Sequence, residues 1–182
     1  VTLFLAREIG RRARAEHKLE ELATTDGLTG LRNRRKFDAA VELEWRRAIR
    51  RSRPMALLLI DADHFKFFND SFGHQSGDTA LIAIANCIAG AAKRAGDCAA
   101  RYGGEEFAVL LPGATVQDAY EVAETIRRRV EQVPADPAML TVSVGVASVK
   151  PLVTMEWTGL VEAADKALYA AKAAGRNRCV IA

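Results

Sequence analysis

The chain has 182 residues, of which 49% are hydrophobic and 27% charged, an ordinary make-up for a globular domain with a sizeable core plus an appendage. Its net charge of +3 is uneven: residues 1–54 carry 14 Lys and Arg against 8 Asp and Glu, while residues 55–182 carry 12 against 15. A basic excess confined to the leading segment argues against a nucleic-acid partner, and three scattered cysteines, Cys87, Cys98 and Cys179, argue against a zinc site and for a reducing compartment, with each thiol a small buried apolar group.

In chain order, VTLFLA at residues 1–6 gives way at once to the basic run REIGRRARAEHK. Six residues cannot span a bilayer. They read either as the last turns of a transmembrane helix with its cytoplasmic flank or as the start of an amphipathic helix. Residues 1–24 are expected to form one helix, too irregular in apolar spacing for a coiled-coil assignment. The start without Met leads to the expectation of a fragment. On that view a sensor precedes Val1, and the full-length protein could be held in the inner membrane by preceding segments.

TTDGLTG breaks the first helix with turn signals. From about Arg34 to Arg51, Phe37, Val41, Trp45 and Ile49 recur every four residues, one apolar face of a second helix. MALLLIDAD (55–63) reads as a buried strand with acids at its tip, followed by a loop to Gly77. A helix over 78–94, strands at 98–102 and 106–111, a helix over 115–132, a strand at 141–148, a helix over 156–174 capped by Gly175, and a closing strand in RCVIA complete the reading. Gly103-Gly104 forms the hairpin turn, and Glu105 opens the outgoing strand. Tyr169 is read as a core aromatic of the last helix. The pattern predicts an α/β (α+β) sandwich with a mixed, mainly antiparallel five-stranded sheet of the split-βαβ kind.

Three stretches carry chemistry. In DADHFKFFND (61–70), Asp61 and Asp63 are spaced to share a face at a strand tip, a setting that suits a hard cation such as Mg²⁺. Lys66 supplies a positive charge and the turn's N–H groups a cradle for a phosphate. The competing reading is a solvated acidic loop. A calcium loop is rejected, because Phe65 and Lys66 stand where that pattern needs an acid and a glycine. In GHQSGD (73–78), Asp78 is either a helix N-cap or, with Asn69, an acceptor for the donor edge of guanine. His74 is a turn residue, a ligand contact, or both. In RYGGEEF (101–107), Gly104 lets a ligand approach the backbone, and Glu105 and Asp61 can converge on one cation. Open backbone and shared acids are what a metal-and-triphosphate site requires.

DGLTGLRNRR, DADHFKFFNDSFGHQSGD, RYGGEEF and ADKALYAAKAAGRNR, in this order, resemble the GGDEF family of diguanylate cyclases over about residues 24–182. The resemblance implies a fold related to the nucleotidyl cyclase and polymerase palm domains. It divides the chain into a signalling helix or linker, 1–24, and a catalytic domain, 25–182. It also implies synthesis of cyclic di-GMP from two GTP by a homodimer, with loss of two pyrophosphates and with Mg²⁺, or Mn²⁺ in its place, as cofactor. Carried over by position, Asp61, Glu105 and the Ala62 carbonyl hold the metal. Glu105 is also the proton acceptor, and Glu106 supports the second metal. Asn69, His74 and Asp78 read guanine. Lys66, Lys172, Arg176 and the backbone of His64 and Phe65 hold the phosphates. Arg94 and Asp97 of RAGD match the family's product-inhibition motif, where cyclic di-GMP binds as inhibitor; the bland alternative is a surface ion pair at a helix end. Ala62 stands where the family has Ile or Leu, which is tolerable because only its carbonyl is used. Aspartate rather than serine at position 78 favours GTP over ATP. A catalytically silent sensor of GTP or cyclic di-GMP, or a pure dimerisation relay, would keep the fold without using the acids.

Overall fold

The computed structural model describes residues 24–134 and 138–182. The expected helix over 1–24 lies almost wholly outside them. Six strands form one sheet: β1 (Arg32–Asn33), β2 (Met55–Ala62), β3 (Cys98–Gly103), β4 (Glu106–Pro112), β5 (Val142–Val149) and β6 (Cys179–Ile181). Their order is β1-β3-β4-β2-β5-β6. The central pairings, β3 with β4 and β2 with both β4 and β5, are antiparallel, and the edge pairings are parallel. The sequence reading of five strands lacked β1, which is only two residues long and carries no pattern to detect.

Five helices flank the sheet: α1 (Arg34–Arg51), α2 (Phe65–Phe72), α3 (His74–Ala91), α4 (Val116–Glu131) and α5 (Trp157–Ala173). β2 is buried along its whole length, which explains its unbroken apolar run. Side chains alternate across a strand, so β2 feeds two cores. Leu58 and Ile60 meet Leu81 and Ile84 of α3 and Ile126 of α4 on one face. Leu57 and Leu59 meet Phe37, Val41 and Trp45 of α1 and Leu160 and Leu168 of α5 on the other. By the same alternation Asp61, two residues beyond Leu59, faces the α1 and α5 side.

Gly145 lets α5 lie directly on the sheet. A Cβ there would collide with the Ala164 carbonyl and the Leu168 backbone. α1 starts at Asn33, whose side chain accepts from the Lys36 N–H at 3.0 Å. α4 starts at a reciprocal Thr115–Asp118 capping box, in the manner such termini require.

Three local expectations change. The stretch after β2 is a helix rather than a loop: α2 rises from His64, which sits in the left-handed region at φ +55°. α3 begins at His74, so Asp78 lies a turn inside it and is not its N-cap. Tyr169 is 75% exposed, because Leu168 and Ala171 supply the buried side of α5. The three cysteines are free and half-buried, packed at the margins of the cores. No helix among the described residues is long and apolar enough to cross a membrane.

Candidate active site

The site forms where β2 ends against the β3–β4 hairpin. Gly103 pairs with Glu106, so the two-residue turn is Gly104–Glu105 rather than Gly103–Gly104. Gly104 takes a positive φ of +47°, which a hairpin of this length favours at its first central position. Glu105 therefore sits in the turn itself, half-buried. The Ala62 N–H donates to the Glu105 carbonyl at 3.2 Å, which locks the turn to the tip of β2. In the same register Asp61 lies directly opposite Glu106, so the pleat puts those two carboxylates on one face.

Asp61 is 9% exposed and is one of only two buried polar residues among those described. Lys172, in the last turn of α5, donates to its Oδ2 at 2.8 Å. Burial pushes the Asp61 carboxyl above the usual aspartate range; the bond and charge of Lys172 oppose that, while Glu105 and Asp63 push it further up. The centre is thus a desolvated carboxylate with acids around it and a lysine as its present counter-charge. Among the described residues no group of three or more His, Cys, Asp or Glu forms a cage. The donor set suits Mg²⁺, which keeps several waters and binds through one or two carboxylates plus substrate phosphates.

Beside this centre lies a cleft of about 490 Å³, lined by Phe65, Lys66, Asn69, Asp70, His74, Asp78, Leu81, Arg101, Gly104 and Glu105. It gathers most of the residues expected to read guanine and hold phosphate. Asn69 Oδ1 is buried with no hydrogen-bond partner, as is Asp38 Oδ1 on α1, a condition that costs ~1–3 kcal/mol and is rare in folded proteins. Its space exists because residue 77 is glycine: a Cβ on Gly77 would occupy the position of Asn69 Oδ1. α2 has no side-chain cap at its N-terminus, leaving N–H groups after His64 free for an anion. Arg176 lies beyond α5 in a left-handed turn at φ +63° and does not line the cleft.

Sequence reasoning missed three positioning residues. Arg101 donates from Nε to the Gly104 carbonyl at 2.8 Å, bracing the turn that carries Glu105. Asp26 holds Arg101 with contacts of 3.3 and 3.4 Å and is itself fixed by the Thr29 N–H and hydroxyl. Burial opposes ionisation of Asp26, but the Thr29 bonds and the Arg101 guanidinium outweigh it and hold the carboxyl below its usual range. Gly77 is the third. Its sequence signal was a glycine next to Asp78, read only as the end of a loop.

Arg94 and Asp97 lie elsewhere, before β3, with the length of that strand (~20 Å) between them and the hairpin turn. α3 ends at Ala91, so they are not a helix-end pair. The Arg94 N–H donates to Asp97 Oδ2 at 2.8 Å, and the Asp97 N–H returns to the Arg94 carbonyl at 3.0 Å. The carboxylate closes a turn and leaves the exposed guanidinium outside any ion pair among the described residues. A groove of about 310 Å³ borders this turn, with Arg47, Arg51, Arg53, Ala95 and Gly96 among its walls.

A mixed sheet with acids at a central strand tip and a polar cleft beside them is an α/β arrangement suited to holding a nucleotide. The family model described as "Diguanylate cyclase, GGDEF domain" matches residues 23–178, and the chain belongs to the GGDEF family. It is 38% identical over 175 residues to the probable diguanylate cyclase DgcC of Escherichia coli, covering 92% of this chain and 46% of that protein. It is 42% identical over 172 residues to the response regulator PleD of Caulobacter vibrioides, covering 91% and 37%. The chain thus spans less than half the length of these curated relatives. Among solved structures, the coiled coil and GGDEF domain of DgcB from Caulobacter crescentus, in complex with c-di-GMP, superposes with a TM-score of 0.89 at 36% identity, covering 97% of this chain and 95% of that one. The active GGEEF domain of a diguanylate cyclase from Vibrio cholerae gives 0.77 at 35% identity, covering 82% and 96%.

Proposed function

We propose that this chain is a diguanylate cyclase domain that joins two GTP into cyclic di-GMP and releases two pyrophosphates, working as a homodimer. The observation that carries the reading is one junction: Lys172 bonds Asp61, which also feels the charge of Glu105, and Glu105 lines a cleft walled by Asn69, His74 and Asp78. Guanine fits that cleft, with Asp78 accepting from its imino and amino hydrogens and the second amino hydrogen donating to Asn69 Oδ1, which has no partner of its own. Lys66, Lys172, Arg176 and the N–H groups after His64, including that of Phe65, take the triphosphate.

Asp61, Glu105 and the Ala62 carbonyl would hold Mg²⁺ or Mn²⁺, with Glu106 beside them. Such a cation supplies Lewis-acid neutralisation of the triphosphate and lowers the pKa of the attacking hydroxyl. The 3′-oxygen of one GTP forms a bond to the α-phosphorus of the other, the bond to pyrophosphate breaks, and Glu105 accepts the hydroxyl proton. Lys172 exchanges its bond to Asp61 for a phosphate oxygen when substrate enters. Each cleft holds one GTP, so two domains must face each other and a monomer is inactive.

Arg94 and Asp97 form the inhibitory site for the product. An exposed guanidinium beside a groove rich in arginine supports binding of an anionic dinucleotide there. Residues 1–24 act as a linker that passes a dimerisation signal to the domain at 25–182. GTP is an intracellular substrate, so the domain is cytoplasmic on this reading.

The test is incubation of the chain with GTP and Mg²⁺, with and without Glu105→Ala. The expected result is cyclic di-GMP and pyrophosphate from the wild type and none from the variant. A confirmed wild-type dimer that makes no dinucleotide overturns the proposal.

A further inference from the structure

Arg176 and Asn177 are consecutive non-glycine residues in the left-handed region, at φ +63° and +45°. A pair like this persists only where surrounding bonds over-determine it. Those bonds converge on Asn177. Its N–H donates to Asp63 Oδ2 at 3.0 Å, its Nδ2 donates to Glu131 Oε1 at 2.8 Å, and its Oδ1 accepts from Arg127 at 3.0 Å. Asp63 is equally occupied. It accepts from the Thr141 and Ser143 hydroxyls at 2.9 and 2.6 Å, and its own N–H donates to the Thr141 carbonyl at 2.9 Å.

We propose that Asp63 and Asn177 form a clamp that sets the Arg176 turn against the tip of β2, and that Asp63 is a positioning residue rather than a cation ligand. The proposal rests on the nucleotide reading of the site. Asp63 follows Ala62, whose carbonyl faces the cation in that reading, and precedes the N–H groups of His64 and Phe65. Its side chain reaches across to the N–H of the residue after Arg176. One carboxylate therefore ties together both walls of the triphosphate subsite. Its two oxygens accept three protein hydrogen bonds, from the Thr141 and Ser143 hydroxyls and the Asn177 N–H, which occupy the carboxylate. β5 contributes through Ser143 and α4 through Glu131 and Arg127, so the clamp joins the tip of β2, β5, α4 and the Arg176 turn.

The two roles separate on an isostere. In Asp63→Asn the amide oxygen can keep the Asn177 N–H and Thr141 hydroxyl, while the amide NH₂ donates to the Ser143 hydroxyl, which can turn to accept. Binding of a non-hydrolysable α,β-methylene GTP analogue and of GMP to the full chain is measured by calorimetry, with and without Mg²⁺. The clamp predicts that Asp63→Asn stays within about threefold of wild type. It predicts that Asp63→Ala loses about tenfold to hundredfold for the triphosphate analogue, both with and without Mg²⁺, and much less for GMP. Asn177→Ala should show the same split, and it decides the matter if Asp63→Ala does not fold. Equal losses for Asp63→Asn and Asp63→Ala that appear only with Mg²⁺ would assign Asp63 to the cation and overturn the clamp. So would wild-type affinity for the analogue in Asn177→Ala. A wild-type chain that binds neither nucleotide removes the nucleotide reading itself, and the clamp falls with it.

Discussion

Gly77→Ala separates base recognition from folding. The added Cβ would fall on Asn69 Oδ1, with the Phe65 ring edge at 3.2 Å as the next neighbour. The obstacle is the end of a side chain, so Asn69 can turn aside at a rotamer cost of ~0.5–1.5 kcal/mol. Replacing glycine by alanine near the start of α3 returns up to ~1 kcal/mol of helix propensity. The two nearly cancel, and the melting temperature should move little. Recognition has no such compensation. With Asn69 displaced, a guanine group that enters the cleft is left unpaired, which costs ~2 kcal/mol, or about thirtyfold in kcat/KM for GTP. The assay pairs thermal unfolding with steady-state kinetics on one preparation. A folded Gly77→Ala protein with wild-type kcat/KM would refute the role given to Asn69, and a loss of several kcal/mol in stability would refute the steric reasoning.

Lys172→Met should raise the Asp61 carboxyl pKa still further, since it removes the group that opposes burial; a carboxyl NMR titration of the nucleotide-free chain checks this, and an unchanged or lower value contradicts it. The sign for stability follows: an acid whose pKa is raised by folding binds its proton more tightly in the native state, so stability from Asp61 falls as pH rises from the ordinary aspartate value to the raised one, and Lys172→Met extends that window upward. Gly145→Ala should destabilise by at least ~2 kcal/mol in urea unfolding, because the new Cβ meets α5 backbone that cannot turn aside; a midpoint within error of wild type would show that α5 can shift. Arg94→Ala should weaken inhibition by added cyclic di-GMP by about tenfold or more while leaving uninhibited turnover intact. Product inhibition that survives the change would remove the role of the RAGD turn.

Five of the six strands and four of the five helices among the described residues were legible, most of them because their patterns are long, while the two-residue β1 was not. β2 announces itself as a continuous apolar run, and α1 by Phe37, Val41 and Trp45 on one face. α2 was missed because eight residues with no fully buried side chain give no clear period. Tyr169 was misread because an alanine-rich helix looks apolar on every side, and only packing selects the face that Leu168 occupies. The acids of the site were readable from local motifs, since Asp61, Glu105 and Asp78 each sit beside telling neighbours. The bonding of Asp63 was not readable, because its partners Thr141, Ser143 and Asn177 are 78, 80 and 114 residues away. Nor was the brace from Asp26 to Arg101, which spans 75 residues. Sequence spacing exposes groups that act where they stand and hides those that act by holding something else.

The most direct test of the central claim is the initial rate of cyclic di-GMP formation from GTP and Mg²⁺, measured across a wide range of protein concentration with pyrophosphate counted alongside. Two GTP held in two facing clefts predict two pyrophosphates per dinucleotide and, below the dimerisation constant, a rate that rises faster than linearly with protein. A rate strictly proportional to the concentration of a monomer, or no dinucleotide at all, would contradict it.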